Sequence, residues 1–280
     1  MIKLLGIPFD GNSSYMKGPG QSPARIRQME AEGSANTFCE SGVDVRSGEL
    51  YQDIGNIGFP DLSPKAVYQA IKNRIHQELR DDSKVLCLGG DHSVSFPIIE
   101  AYAEKHQPIH ILHIDAHPDL YENFENNPYS HASPFARLME TGKISSLTQV
   151  GIRTFNSHQR EQAKRYGVKV VEMKDFSFDF LKDLPSPLYL SFDLDALDPA
   201  YAPGVSHHEP GGLSTRQVLH IIQSLDGLVG ADIVEYNPAR DINNMTAMVG
   251  YKLMKEILVK MCWVIFFNLF CFMTYNFIID

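Results

Sequence analysis

The chain has 280 residues, of which 44% are hydrophobic and 21% charged, enough for a large buried core and unlike a disordered segment. Its 34 acidic residues outnumber 25 basic ones, giving a formal net charge of −9 and a sequence pI near 5.6. A nucleic-acid partner calls for a basic face that neutralises phosphates, and the balance argues against that class.

The first seven residues form an apolar, strand-like run without the basic start and cleavage site of a secretory signal, so the folded domain is expected to begin at Met1. Strands are predicted at 3–7, 84–88, 109–114, 148–152, 168–172, 188–194 and 230–234. Several are apolar throughout, as strands covered on both faces are. Amphipathic helices lie between them. The clearest covers 64–80, where Val67, Ile71, Ile75 and Leu79 recur every four residues behind the cap candidate Ser63. A loop with three prolines and three glycines follows at 199–212. A second helix starts after Ser214, turns Val218, Ile221, Ile222 and Leu225 inward, and is expected to stop at Gly227.

Alternating strands and helices predict an α/β fold around a parallel sheet. With no linker or internal repeat, one catalytic domain is expected over 1–260. Residues 261–280 stand apart as an atypical hydrophobic C-terminal tail: 19 consecutive uncharged residues, 261–279, reach the length of a bilayer crossing. A terminal element packed on the body and a non-native extension are the competing readings, and membrane contact is expected only if the tail is a genuine anchor. The four cysteines, Cys39, Cys87, Cys262 and Cys271, include no CxxC pair. Neither a disulfide framework nor a thiolate zinc site is indicated, so a reducing, cytoplasmic location is expected.

Acidic and histidine residues gather where predicted strands end. The run at 84–88 leads into Gly89, Gly90, Asp91, His92 and Ser93; 109–114 into Asp115, His117 and Asp119; 188–192 into Asp193, Asp195 and Asp198; 230–234 into Glu235. In a parallel sheet these ends open on one edge, where ligands bind. Alternate residues of an extended segment share a side, so Asp115, His117 and Asp119 can converge, as can Asp193 and Asp195. With His92 they make six candidate metal ligands. Four carboxylates and two neutral imidazoles in one cleft need bound cations, and six ligands suit two ions sharing bridging carboxylates. Oxygen-rich ligation without thiolate points to two Mn²⁺, although Co²⁺, Ni²⁺, Fe²⁺ or Zn²⁺ can occupy such sites. Asp91 and Asp198 read as cap or turn residues, and His106, His110, His113, His158 and His220 as packing or surface histidines. His207 and His208 are candidates for a site entrance.

Three blocks, GGDHS at 89–93, DAHPD at 115–119 and SFDLDALDP at 191–199 with the following VEYNPARD at 234–241, resemble the ureohydrolases, the family of arginase and agmatinase. The likeness covers residues 3–258. Three segments, 6–27, 121–140 and 202–214, look most like plant-type arginases of the agmatinase-like branch. The resemblance implies a three-layer α/β/α domain with a mainly parallel eight-stranded sheet, assembled as a homo-oligomer, a trimer or hexamer. It implies that His92, Asp115, Asp119 and Asp193 hold one manganese and that Asp115, His117, Asp193 and Asp195 hold the other. His131 corresponds to the family's loop histidine and Glu235 to its guanidinium-binding carboxylate.

A guanidinium carbon is a poor electrophile, so its hydrolysis needs a strong, held nucleophile, which a water between two divalent ions supplies as hydroxide. Asp119, His131 and Glu235 are the predicted catalytic residues: Asp119 orients the nucleophile, His131 protonates the leaving amine and Glu235 pairs with the guanidinium. The expected partner is therefore a small cationic guanidino substrate, arginine or agmatine. Pro118, Leu120, Tyr121 and Glu122 replace the Thr and Asn pattern by which animal arginases read the amino-acid end. Arg153 or an asparagine within 123–127 is the candidate for meeting a carboxylate, with a structural salt bridge the duller reading of Arg153. Guanidinobutyrase, formimidoylglutamase and a non-catalytic scaffold are the alternatives.

Overall fold

A computed structural model describes residues 1–33 and 35–275, with side chains through Cys262. Among the described residues the chain forms β1 (Ile2–Gly6), α1 (Ser22–Ala31), β2 (Gln52–Asn56), α2 (Pro64–Glu78), β3 (Lys84–Leu88), α3 (Ser95–Lys105), β4 (His110–Ile114) and α4 (Pro134–Glu140). Then follow β5 (Ser146–Ile152), α5 (Ser157–Tyr166), β6 (Lys169–Glu172), β7 (Leu188–Asp193), α6 (Thr215–Ser224), β8 (Leu228–Val234) and α7 (Met245–Tyr275). The apolar runs fold as strands where the sequence predicts them. The exception is β2, whose sequence QDIGN carries no apolar run. It pairs only with β1 at the sheet edge and exposes every residue but the half-buried Ile54, so no hydrophobic pattern marks it.

Helix ends follow local chemistry. In α6 the Ser214 side chain accepts the Gln217 N–H while the Gln217 side chain returns to the Ser214 N–H, a capping box that satisfies two otherwise orphaned donors. Ser63 occupies the N-cap position of α2 but makes no side-chain capping bond; Pro64, whose fixed φ suits the first turn, follows it. Gly227 does not end α6, which stops at Ser224; with φ 66 it turns the chain into β8.

The eight strands form one all-parallel sheet in the order β2-β1-β3-β8-β7-β4-β5-β6. Alternation divides its side chains between two cores. Leu4, Leu86 and Leu88 pack with Ile26 of α1, Ile221 of α6 and Ile257 of α7, while Leu5, Val85 and Cys87 pack with Ile71 of α2 and Ile98 of α3. Helices therefore cover both faces, and the expected three-layer α/β/α architecture is observed. The hydrophobic segment at 261–275 continues α7 without a break, and Met261 and Cys262 are buried. Among the described residues no helix is long and apolar enough to cross a membrane. The side chains from 263 onward and all of 276–280, which carry the rest of the tail reading, lie outside the described residues.

Strand order places the site. The four strands that lead into the acidic motifs, β3, β8, β7 and β4, are consecutive at the centre of the sheet. At about 4.8 Å per strand their carboxyl ends fall within roughly 15 Å of one another. Two glycines allow the close approaches this needs. A Cβ on Gly90 would lie 1.7 Å from the Phe9 carbonyl oxygen, and one on Gly151, whose φ is +96, would lie 2.8 Å from the Asp115 carbonyl oxygen. Gly151→Ala is expected to cost about 2 kcal/mol or more, combining a disfavoured φ with a backbone clash. Gly33→Ala has a similar φ but nothing within 4 Å, and should cost only about 1 kcal/mol. Equal urea-unfolding midpoints for the two variants would contradict this placement.

Candidate metal centre

Each strand end fixes its side chains through local hydrogen bonds. After β3, Asp91 caps a 3-10 turn at 92–94: its carboxylate accepts the Ser93 N–H at 3.1 Å and the Asn12 N–H at 2.9 Å. This is the capping role expected of it, although Asp91 is fully buried and its pKa is pushed up to about 6, by burial first and then by Glu235. His92, on that turn, projects into the cleft. After β4, Asp115 Oδ1 accepts the His117 N–H at 2.6 Å; after β7, Asp193 Oδ1 accepts the Asp195 N–H at 2.8 Å. Asp119 and Glu235 reach the cleft from left-handed backbone, at φ 49 and 62. For non-glycine residues that conformation costs free energy and is met mainly where function holds it.

All six predicted ligands converge. His92 Nδ1 lies 3.1 Å from Asp115 Oδ2, 3.1 Å from Asp119 Oδ2 and 3.1 Å from Asp193 Oδ2. It bonds none of the three, being a buried nitrogen without a hydrogen-bond partner. The ring's other nitrogen explains why. His92 Nε2 lies 3.2 Å from Ser191 Oγ, and Ser191 spends its one proton on Asp232 Oδ1 at 2.7 Å. Ser191 must then accept from Nε2–H, which leaves an Nδ1 lone pair facing three carboxylate oxygens. That arrangement is repulsive unless a cation sits among the four atoms. Ligand atoms about 2.2 Å from an ion and at right angles lie about 3.1 Å from each other, the spacing observed.

A second group adjoins the first. His117 Nδ1 is 3.0 Å from Asp195 Oδ2 and 3.4 Å from Asp115 Oδ1. Asp115 thus turns one oxygen to each group, as a bridging carboxylate must. Asp115, Asp193 and Asp195 are all buried. Burial, then Asp195 and Asp115, push the Asp193 carboxyl well above its usual range. Burial lowers the His92 pKa, but Asp115, Asp119 and Asp193 outweigh it and carry the imidazole well above its usual value. Such crowding is stable only when protons or cations neutralise it, and the donor set fits divalent ions.

An open cavity of about 480 Å³ lies over the cluster, lined among others by Asp119, His131, Asp193, Asp195, Glu209 and Glu235. No lysine or arginine lines it among the described residues. Glu235 Oε1 accepts from the His92 N–H and from His131 Nδ1, each at 2.9 Å, and Oε2 has no protein donor among the described residues. The Ser14 N–H faces His131 Nε2 at 3.2 Å. Burial lowers the His131 pKa, yet Glu235, then Asp91 and Asp119, bring it to about 9. The Ser14 hydroxyl, 2.8 Å from the same Nε2, can accept its proton, so the protonated ring is bonded on both nitrogens and suited to give up a proton.

The loop at 199–212 does reach the site. Its His207 and Glu209 line the cavity, whereas His208 turns away to the Pro203 carbonyl and Arg240. Asp198 has the turn role expected of it and ties the loop ends by accepting from Ala200, Gly211 and Gly212. Arg153 meets neither expectation for it. Among the described residues it pairs with no carboxylate, and it does not line the cavity; its guanidinium donates to the carbonyls of Gly151, Asp195, Ala196, Leu197 and Glu209. No asparagine of 123–127 lines the cavity either, where Tyr121, Phe124 and Asn156 stand. Sequence reasoning missed Ser191 and Asp232, whose signal was a polar residue inside a doubly covered strand. It also took His113 for packing, yet His113 Nε2 donates to Asp115 Oδ2 at 2.8 Å.

Parallel strands ending in clustered carboxylates and imidazoles define an α/β protein with a site able to hold metal ions. Comparison with known proteins makes the class specific: the Arginase family profile matches residues 1–260, and the chain belongs to that family of hydrolases. It is 45% identical over 273 residues to "Arginase 1, mitochondrial" of Arabidopsis thaliana, covering 92% of this chain and 80% of the relative. An "Agmatinase" of Bacillus cereus is 32% identical, covering 92% of this chain and 90% of the relative. The arginase structure from Medicago truncatula superposes with a TM-score of 0.87 at 43% identity, over 93% of this chain and 87% of that one.

The cytoplasmic expectation is corrected by these names. The Arabidopsis relatives are called mitochondrial and chloroplastic/mitochondrial, and the rice relative mitochondrial, which points to an organelle. Unpaired cysteines could not make that distinction, because free thiols fit any compartment that keeps them reduced, not the cytoplasm alone.

If Arg153 holds the loop by its forked contacts, Arg153→Lys should behave like Arg153→Met, since one ammonium cannot serve five carbonyls. Chymotrypsin should cut after the exposed Tyr201 about tenfold faster in both variants. Cleavage of Arg153→Lys at the parent rate would contradict the clamp.

Proposed function

We propose that the chain is a binuclear manganese ureohydrolase that cleaves the guanidino group of arginine or agmatine to urea and an amine. The observation that carries this reading is the unbonded His92 Nδ1 with three carboxylate oxygens each 3.1 Å away, beside a second group reached by the other oxygen of Asp115. His92, Asp115, Asp119 and Asp193 would hold one ion, and Asp115, His117, Asp193 and Asp195 the other. Oxygen donors with two imidazoles favour Mn²⁺, while Co²⁺, Ni²⁺, Fe²⁺ and Zn²⁺ accept the same donors. Bound divalent ions supply Lewis acidity and a water activated near neutral pH.

The chain's own residues do the rest. Glu235 keeps Oε2 for the guanidinium, because Oε1 is already taken by His92 and His131. That pairing holds the carbon over the cluster, converting a collision into a positioned attack. Asp119, held by its left-handed backbone, orients the attacking oxygen. His131, beside Glu235, delivers a proton to the departing amine, without which the carbon–nitrogen bond does not break at neutral pH.

Cavity charge supports the substrate class. The lining carboxylates favour a cation, and no cationic side chain waits for a lone carboxylate. Arginine and agmatine both carry an ammonium at the far end, whereas 4-guanidinobutyrate offers only a carboxylate there. The names of the relatives support both of the first two substrates.

Protein loaded with Mn²⁺ should release urea from arginine or agmatine and little from 4-guanidinobutyrate. His131→Asn should keep both ions and lose about 10²–10⁴ in kcat. No urea from any of the three substrates, with two ions bound, would overturn the proposal.

A further inference from the structure

The buried histidine His113 carries an inference that rests on the reading of a binuclear centre and deepens it. His113 is the second residue before Asp115, fully buried on β4, and its ring stacks on Phe135 with centroids 3.8 Å apart. With His92 and Asp115 it forms a group compact enough to ligate a metal, so it is either a third imidazole ligand or something else.

The hydrogen-bond pattern decides between these. Gln149 Nε2, on β5, lies 2.6 Å from the Pro118 carbonyl oxygen and 3.0 Å from His113 Nδ1. A carbonyl oxygen only accepts, so the atom facing it is the amide nitrogen; the flipped amide would set two oxygens 2.6 Å apart. The amide oxygen, Gln149 Oε1, is buried with no partner, so the nitrogen's two acceptors alone fix the orientation. An amide nitrogen donates. His113 Nδ1 must therefore accept, and the ring's proton sits on Nε2.

An Nε2 that bears a proton has no lone pair for a metal. Instead it points that proton at Asp115 Oδ2, 2.8 Å away in hydrogen-bonding geometry. The contrast with His92 is direct. That residue's Nδ1 lies 3.1 Å from the same oxygen yet bonds no oxygen around it. Two imidazoles approach one carboxylate oxygen, one with a lone pair turned into the cluster and one with a proton.

We infer that His113, locked as its Nε2–H tautomer by Gln149, is a positioning residue: it donates to the Asp115 oxygen that faces His92 and so fixes that bridging carboxylate between the two ion positions. With the His117 N–H on Oδ1 at 2.6 Å, each Asp115 oxygen holds one donor, and the carboxylate cannot rotate without losing both. Partners of this kind orient ligands and typically change metal affinity by about 10–100-fold when removed.

Two replacements separate the roles. His113→Gln can carry an amide N–H to where Nε2 stands but loses the stacked ring; His113→Phe keeps a ring against Phe135 but has no donor. Mn²⁺ is titrated calorimetrically into metal-free parent and variant proteins, with far-UV circular dichroism melts as a check on folding. The expected result is two ions in every protein, with affinity for at least one ion about tenfold or more weaker in His113→Phe and within about threefold of the parent in His113→Gln. Equal or tighter binding by His113→Phe would show packing alone and overturn the inference. Loss of one whole ion from both variants would show a ligand and overturn it too. A parent protein that takes up no divalent ion would instead sink the binuclear reading itself. If His113→Phe melts below the titration temperature, Gln149→Leu, which frees the tautomer without touching the ring, must weaken binding for the inference to survive.

Discussion

The structure is organised around a repulsion. Three buried carboxylate oxygens and an imidazole lone pair crowd to 3.1 Å at the carboxyl edge of the sheet, with a second cluster beside them. Left to itself such a cluster would push its strands apart or fill with protons. The close-packed α/β body around it must therefore be stiff enough to hold these groups at the spacing that divalent cations would neutralise.

That stiffness has identifiable sources. The central strands β3, β8, β7 and β4 are covered on both faces by apolar cores and cannot separate. Behind the ligands lies a buried polar layer in which Tyr189 and Ser191 satisfy both oxygens of Asp232 and Ser191 orients His92. In front, Arg153 gathers five backbone carbonyls and holds down the loop that brings His207 and Glu209 to the cavity. Burying such polar groups is costly unless each is paired, and here the pairing also sets direction: it decides which nitrogen of each histidine faces the cluster.

Much of this was legible in the chain itself. Apolar runs marked seven of the eight strands, and the acids and histidines just past β4 and β7 singled out Asp115, His117, Asp119, Asp193 and Asp195, although Asp119 and Asp195 reach the cleft from left-handed and 3-10 backbone and not from the extended run that was expected. What stayed hidden was nonlocal. β2 has no apolar run, since an edge strand with solvent on its open side needs none. The work of Arg153 depends on four carbonyls 42 to 56 residues away, besides that of Gly151, which no spacing reveals. His113 looked like core because it is core; only the contact with Gln149, 36 residues on, shows where its proton lies. Membership of the arginase family fixes the broad chemistry, but cysteine content misdirected the compartment, as the names of the mitochondrial and chloroplastic relatives show.

The central claim is that two cations share the Asp115 and Asp193 carboxylates, and it can be seen directly. Crystals grown with Mn²⁺ and measured near the manganese absorption edge should show two anomalous peaks about 3.5 Å apart. One should lie within bonding distance of His92 Nδ1, the other of His117 Nδ1, and both beside Asp115. A single peak, peaks away from these residues, or none at saturating Mn²⁺ would contradict the account.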